Sequence, residues 1–214
     1  MPRNTETKPD ARRKLLDSAR MKIRKTGFGS MTVDELCKDA GVTKGAFFHH
    51  FKSKEEFGVA TANNWDELTS GFFKDAPYHT LADPLERFLG YIRFRRELVT
   101  GDIYEFTCVV GTMVQEIFET SSDIRDACHE SMFNHAELLV DDIEAAMNIY
   151  PPNTKIDAHS LALHTQAVFQ GAFVLAKSTN NAAKVREIAW EMIDHLERYV
   201  LLLFGQTTND GGKK

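Results

Sequence analysis

The chain has 214 residues, 43 % of them hydrophobic and 27 % charged, enough apolar content to fill one sizeable globular core or two small ones. No apolar run approaches the ~18 residues of a membrane span, and the polar opening MPRNTETKPDARRK lacks the apolar stretch of a secretory leader, so a cytoplasmic protein with no membrane partner is expected. The net charge of −5 is uneven: residues 1–54 hold 13 Lys+Arg against 6 Asp+Glu, a net of +7, and residues 55–214 hold 13 against 25, a net of −12. A basic end on an acidic body suits polyanion binding confined to one surface, or equally a solvated charged face.

Residues 1–9 read as a disordered arm. From Asp10 a helical stripe of Leu15, Leu16, Ala19 and Ile23 emerges between basic residues, and Gly27 stops it, since glycine accepts the backbone conformations found just past a helix end. Thr32 and Glu35 form a capping box for a second helix that turns Val33, Leu36 and Cys37 inward and ends before Gly41. Thr43 is the N-cap of a third helix, from Lys44 to about Phe51. Ser53 and Glu56 open a long connecting helix over 55–76, with Phe57, Ala60, Asn64, Trp65, Leu68 and Phe72 at helical spacing. Pro77 and Pro84 bracket a loop, and helices are expected at about 84–99, 103–119 and 122–148 before the YPPN break at 150–153. Two last helices, about 157–178 and 182–204, precede a tail over 206–214 that reads as disordered. No β-alternation or repeat is present, so the expected fold is all-α with about nine helices: residues 10–54 as one small domain and 55–205 as a helical body.

Wound at ~100° per residue, the third helix sends Phe47 and Phe51 to one side and Gly45, Ala46 and His49 to the other, flanked by Lys44, Phe48 and His50. Small residues near the helix start let a backbone approach base edges, and donors at the margins suit phosphates. An ordinary solvated helix has no need of Gly45 in its first turn, where glycine costs roughly 1 kcal/mol relative to alanine. Two helices joined by a short glycine-containing turn match the helix-turn-helix arrangement, a spacing that many αα-hairpins share.

The stretch TVDELCKDAGVTKGAFFHHFKSKEEF also resembles the N-terminal signature of the TetR family of transcriptional regulators, and the resemblance covers about residues 11–60. It implies a homodimer that represses transcription at a palindromic double-stranded DNA operator and is released by a small-molecule effector in the body. By this resemblance Thr32 and Thr43 donate to phosphates, Lys44, Gly45 and Ala46 face bases, His49 and His50 contact bases or phosphates, and Lys54 anchors the DNA backbone. The family usually has tyrosine where Phe48 stands, so a phosphate hydrogen bond is lost or an apolar contact with a thymine methyl replaces it.

The resemblance further implies that the last two helices pair with their copies. Broad apolar stripes agree, and Val168, Gly171, Ala172, Leu175, Ile188, Met192, Leu196 and Val200 are the expected dimer interface, against the plainer alternative of an intrachain core. Phe88, Tyr91, Phe94, Cys108, Met113, Glu116, Phe133, Gln166, Phe169, Gln170 and Phe173 are candidate effector contacts; aromatic and methionine residues at such spacing also serve as plain core. Gln166 and Gln170 are the better clues, because an amide among apolar neighbours needs a partner.

The segment FTCVVGTMVQE resembles the Cys-x-x-Gly segment of electrophile-sensing repressors in the same family, which opens the alternative of a redox sensor acting through Cys108 in the field of Arg93, Arg95 and Arg96. A third reading is a structural DNA-binding protein with no effector. Cys37, Cys108 and Cys128 match no zinc or disulfide pattern, the eight histidines lack ligand spacing, and there is no nucleophile elbow or phosphate loop. No metal, cofactor or enzyme activity is expected.

Overall fold

Asp10 opens the first helix: its carboxylate accepts from the Arg13 N–H at 2.8 Å, satisfying one of the donors that a helix start leaves without a partner. The computed structural model describes residues 10–179 and 181–206, apart from the side chains of residues 182 and 183. The arm expected at 1–9, and the expected tail beyond Gln206, lie outside the described residues.

In chain order the helices are α1 (Ala11–Thr26), α2 (Val33–Ala40), α3 (Lys44–His50), α4 (Lys54–Lys74), a short 3-10 turn (Pro77–Thr80), α5 (Pro84–Glu97), α6 (Ile103–Phe106), α7 (Val109–Ile117), α8 (Ser122–Glu137), α9 (Val140–Ile149), α10 (Ala158–Ser178) and α11 (Ala182–Leu203). The fold is all-α. The excess over the expected nine comes from two breaks. Asp102 and Glu105 cap a single turn that ends at Thr107, whose backbone is extended, so the segment expected at 103–119 becomes α6 and α7. The segment expected at 122–148 breaks at Leu138 and Leu139, where the Leu139 N–H reaches the Ala136 carbonyl at 3.0 Å in a tightened turn. Neither break carries a proline or glycine.

The chain divides into two compact units: Met1–Trp65 with Val109–His129, and Asp66–Cys108 with Glu130–Lys214. In the first, α1 packs on α2, α3 and α7. Leu15, Leu16, Ala19, Ile23, Leu36 and Cys37 are buried as the periodicity predicted. Phe47, Phe51 and Phe57 meet with ring centroids 4.9–5.5 Å apart, and burial pushes the Cys37 thiol upward in pKa. The Thr32–Glu35 capping box forms, and its hydrogen bond from the Thr32 backbone N–H holds the Glu35 carboxyl below its usual range. Gly41 takes the left-handed conformation that closes α2, with φ +63°.

The second unit is built from α10 against α11, α5 against α9 and α11, and α9 against α10. Its core holds Phe73, Tyr78, Phe88, Leu89, Tyr91, Ile92, Leu161, Phe169, Phe173, Ile193, Leu196 and Val200. Two positions depart from the periodic reading of α4: Leu68 and Phe72 are about half exposed, and Phe72 stacks on Phe94 at 5.6 Å. Among the described residues no helix is long and apolar enough to cross a membrane.

Candidate functional site

The Thr43 hydroxyl oxygen accepts from the Ala46 N–H at 3.1 Å, which caps α3 and leaves the hydroxyl proton available to donate. Phe47 and Phe51 are 0 % and 2 % exposed, whereas Thr43, Lys44, Gly45, Phe48 and His49 face solvent and Ala46 and His50 are half-buried. The face separation read from the helical winding is therefore present. A Cβ placed on Gly45 would meet nothing among the described residues nearer than the Thr43 hydroxyl oxygen at 3.9 Å, so packing among them does not require glycine there. Phe48 lies edge-on to Phe47 at 5.2 Å with half its surface open.

Two cations of this face have partners. Lys44 is 2.8 Å from an Asp34 carboxylate oxygen, an exposed pair that holds the side chain only weakly. Lys54 donates to the Gly29 carbonyl at 3.0 Å and lies over the Phe28 ring at 4.8 Å, and partial burial lowers its pKa. Thr32 is exposed, its hydroxyl oxygen engaged in the α2 cap.

Of the expected effector contacts, Phe88, Tyr91, Phe94, Cys108, Phe133, Gln166, Phe169, Gln170 and Phe173 share the second unit. Met113 and Glu116 do not: α7 packs on α1, Met113 is fully buried in the first unit, and the Glu116 carboxylate accepts from the Gly29 N–H at 2.7 Å. Phe133 is 45 % exposed. Cys108 is partly buried against the second unit's core. The field assigned to it is largely spent, because Arg93 is 2.7 Å from Glu197 and 2.9 Å from Glu86, and Arg96 is 2.5 Å from Asp194.

At the centre of the second unit sits a buried polar cluster. The Tyr91 hydroxyl is 2.9 Å from His135 Nε2, receives the Gln166 amide N–H at 2.8 Å and receives Arg95 Nη1 at 3.1 Å. Arg95 Nη1 is also 3.1 Å from His135 Nε2. A guanidinium only donates, so Nε2 is the accepting nitrogen and the ring proton sits on Nδ1. Burial, reinforced by the charge of Arg95, holds His135 neutral, with its pKa lowered to about 3. Burial likewise raises the Tyr91 phenol. Gln166, singled out in the sequence as an amide in need of a partner, has one. Sequence reasoning missed His135 and gave Arg95 a different role. The available signal was spacing: Arg95 follows Tyr91 by one helical turn and so shares its face.

The expected dimer face is only partly exposed. Ala172, Leu196 and Val200 are 1 %, 2 % and 0 % exposed and belong to the chain's own core, because α10 and α11 pack on each other and on α5 and α9. Gly171 and Leu175 face solvent, and Val168, Ile188 and Met192 are half-buried. Around them Leu163, Val174, Tyr199 and Leu202 are exposed, and on α11 the exposed apolar residues lie on the Ile188 and Met192 side of the predicted stripe, with Leu196 and Val200 turned into the core.

Residues 15–60 match the family model "Bacterial regulatory proteins, tetR family", and residues 84–191 match "Transcriptional regulator LmrA/YxaF-like, C-terminal domain". The chain belongs to the TetR family. Among relatives of this TetR-family regulator, the transcriptional regulator AcuR of Cereibacter sphaeroides is 29 % identical over 126 residues, 59 % of this chain and 58 % of AcuR. The HTH-type transcriptional repressor NemR of Escherichia coli is 46 % identical over 57 residues, 27 % of this chain and 29 % of NemR. The HTH-type transcriptional regulator LmrA of Bacillus subtilis is 23 % identical over 197 residues, 88 % of this chain and 98 % of LmrA. Solved structures agree on the fold: reduced E. coli NemR superposes with a TM-score of 0.74 at 23 % identity, covering 91 % of this chain and 97 % of that one, and a TetR regulator from Rhodobacter sphaeroides does so with 0.74 at 23 %, covering 89 % and 96 %.

Proposed function

We propose that this TetR-family regulator is a cytoplasmic homodimeric repressor that binds a palindromic operator and is released by a small-molecule effector held in the second unit. The observation that carries the DNA reading is the exposed side of α3. There Gly45, with open space over its Cα, is flanked by Lys44, Phe48 and His49, while Phe47 and Phe51 hold the opposite side in the core. In this reading Lys44, Gly45 and Ala46 meet base edges, and Thr32, Thr43, His49 and His50 meet bases or phosphates. Lys54, bonded to Gly29, steadies the loop before α2 and reaches phosphate only as a secondary contact.

The exposed apolar residues of α10 and α11 serve as the face for a second copy, with Gly171 and Leu175 kept from the expected interface and Val174 and Leu202 taking the place of Ala172, Leu196 and Val200. A two-fold dimer sets two recognition helices about one DNA turn apart, or a multiple of it. The buried cluster of Tyr91, His135 and Gln166 supports an effector-responsive body over an inert one, since a core needed only for dimerisation gains little from buried polar groups. An effector that favours the DNA-incompetent state by about 5.5 kcal/mol moves the population from 1:99 to 99:1. Occupancy changes the separation of the reading heads through α4. Covalent sensing at Cys108 is the less favoured route, because Arg93 and Arg96 are committed to carboxylates.

Footprinting of the purified full-length chain on the DNA upstream of its own gene tests the reading. The expected result is a protected palindrome occupied by a dimer, with affinity falling steeply as salt rises. No footprint there, together with no sequence enriched from a random DNA pool, would defeat it.

A further inference from the structure

Three arginines of α5 fall within four positions, and two of them have acids. Arg93 is matched by Glu197 and Glu86, and Arg96 by Asp194. Arg95 has no carboxylate within 4.0 Å among the described residues. Its Nη1 is spent on two neutral groups, the Tyr91 hydroxyl and His135 Nε2, each at 3.1 Å. Its other nitrogens, Nε and Nη2, make no hydrogen bond to a described residue. The guanidinium lies over Phe169 at 4.3 Å, with the Phe73, Tyr91 and Phe173 rings 5.4–5.9 Å away.

The charged and titratable groups around it leave the positive charge uncompensated. His135 and Tyr91 are neutral, Gln166 is an amide, and Asp142, the acid felt by nearby Tyr78, is held by Arg87 at 2.7 Å. Ring faces attract a guanidinium more weakly than a carboxylate does. The free edge, Nε–H beside Nη2–H, is the planar fork that two oxygens of one carboxylate fit, and the aromatic walls favour an apolar group behind it over a hydrated phosphate.

We propose that Arg95 anchors a small monocarboxylate whose apolar part lies against Phe169 and Phe173, and that such an anion is the effector of this regulator. The second half of this inference rests on the effector-release reading above; the first half does not.

Calorimetric titration of the full chain with benzoate and butyrate, each against its neutral amide, tests the site. The expected result is at least tenfold tighter binding of one carboxylate than of its amide, with that preference lost in Arg95→Gln. Arg95→Lys keeps the charge without the fork and should cut the preference severalfold; it supplies the reading if Arg95→Gln does not fold. No preference for either carboxylate, a preference intact in the variants, or inorganic phosphate bound as tightly would overturn the site. A second arm adds the same compounds to the protein bound at its operator. Carboxylate binding without DNA release overturns the effector role and leaves the Arg95 site standing, whereas operator binding by a protein indifferent to carboxylates overturns the site and leaves the regulator standing.

Discussion

Tyr91→Phe removes one oxygen atom and leaves the ring in place, so it isolates the polar cluster from the packing around it. The hydroxyl joins α5 to His135 of α8 and Gln166 of α10, and Tyr91 is wholly buried. His135 Nε2 keeps the hydrogen bond from Arg95 and is still satisfied in the variant. The Gln166 amide N–H has no second partner among the described residues and is left stranded. A buried donor without a partner costs about 1–3 kcal/mol, and the lost bond to a charged donor adds roughly another 1 kcal/mol, so the expected destabilisation is about 2–4 kcal/mol. For a chain of this size each kcal/mol lowers Tm by about 2–4 °C. Differential scanning calorimetry should therefore show a drop of about 4–16 °C. Pairing the change with Gln166→Leu replaces both partners by apolar groups, and the double variant should recover part of the loss. A Tyr91→Phe protein melting within 1 °C of the parent, or a double variant worse than the sum of the two, would refute the account.

Acid should destabilise the second unit through His135. Its pKa is about 3 when folded and ~6.5 when unfolded, so between those values the unfolded chain holds the extra proton and stability falls as pH falls. One proton corresponds to about 1.4 kcal/mol per pH unit, or roughly 2 kcal/mol between pH 6.5 and pH 5, and a stability–pH slope unchanged in His135→Gln would contradict this. Phe48→Tyr should tighten operator binding about two- to tenfold at matched salt by restoring a phosphate hydrogen bond; unchanged affinity means that Phe48 meets no phosphate. Gly58→Ala gains helix propensity but drives a Cβ to 2.6 Å from an Ile124 methyl and 2.8 Å from the Phe28 ring. The clash should win, with a net loss of about 1–2 kcal/mol by chemical denaturation; a stabilised variant would show that the contact relaxes freely.

What the sequence made legible is what depends on neighbours along the chain. The caps at Thr32 and Thr43 and the inward turn of Phe47 follow from spacing within one or two turns. The outward face of α3 was readable for the same reason. The break at Leu138 and Leu139 was not, because no residue there forbids a helix and packing decides. Ala172, Leu196 and Val200 have the same apolar character whether they face their own core or a second copy, so only the positions of α5 and α9 could assign them inward. His135 and Tyr91 lie 44 positions apart, and nothing local in either residue announces the other. The neutral state of the imidazole is a property of its surroundings, not of its own sequence context.

The hydrogen bond from the Gly29 N–H to the Glu116 carboxylate has a consequence for modular exchange between relatives. A Cβ on Gly27 would run into that carboxylate and one on Gly29 would crowd it at 3.2 Å, while Ser121 bonds Glu55 and Ile124 packs beside Gly58. A chimaera cut after residue 54 or 65 would transplant the DNA reader and leave behind the helix that seats it. The transferable module is discontinuous: grafting onto another family member should succeed when residues 109–129 travel with the N-terminal segment, and should yield a poorly seated head when they do not.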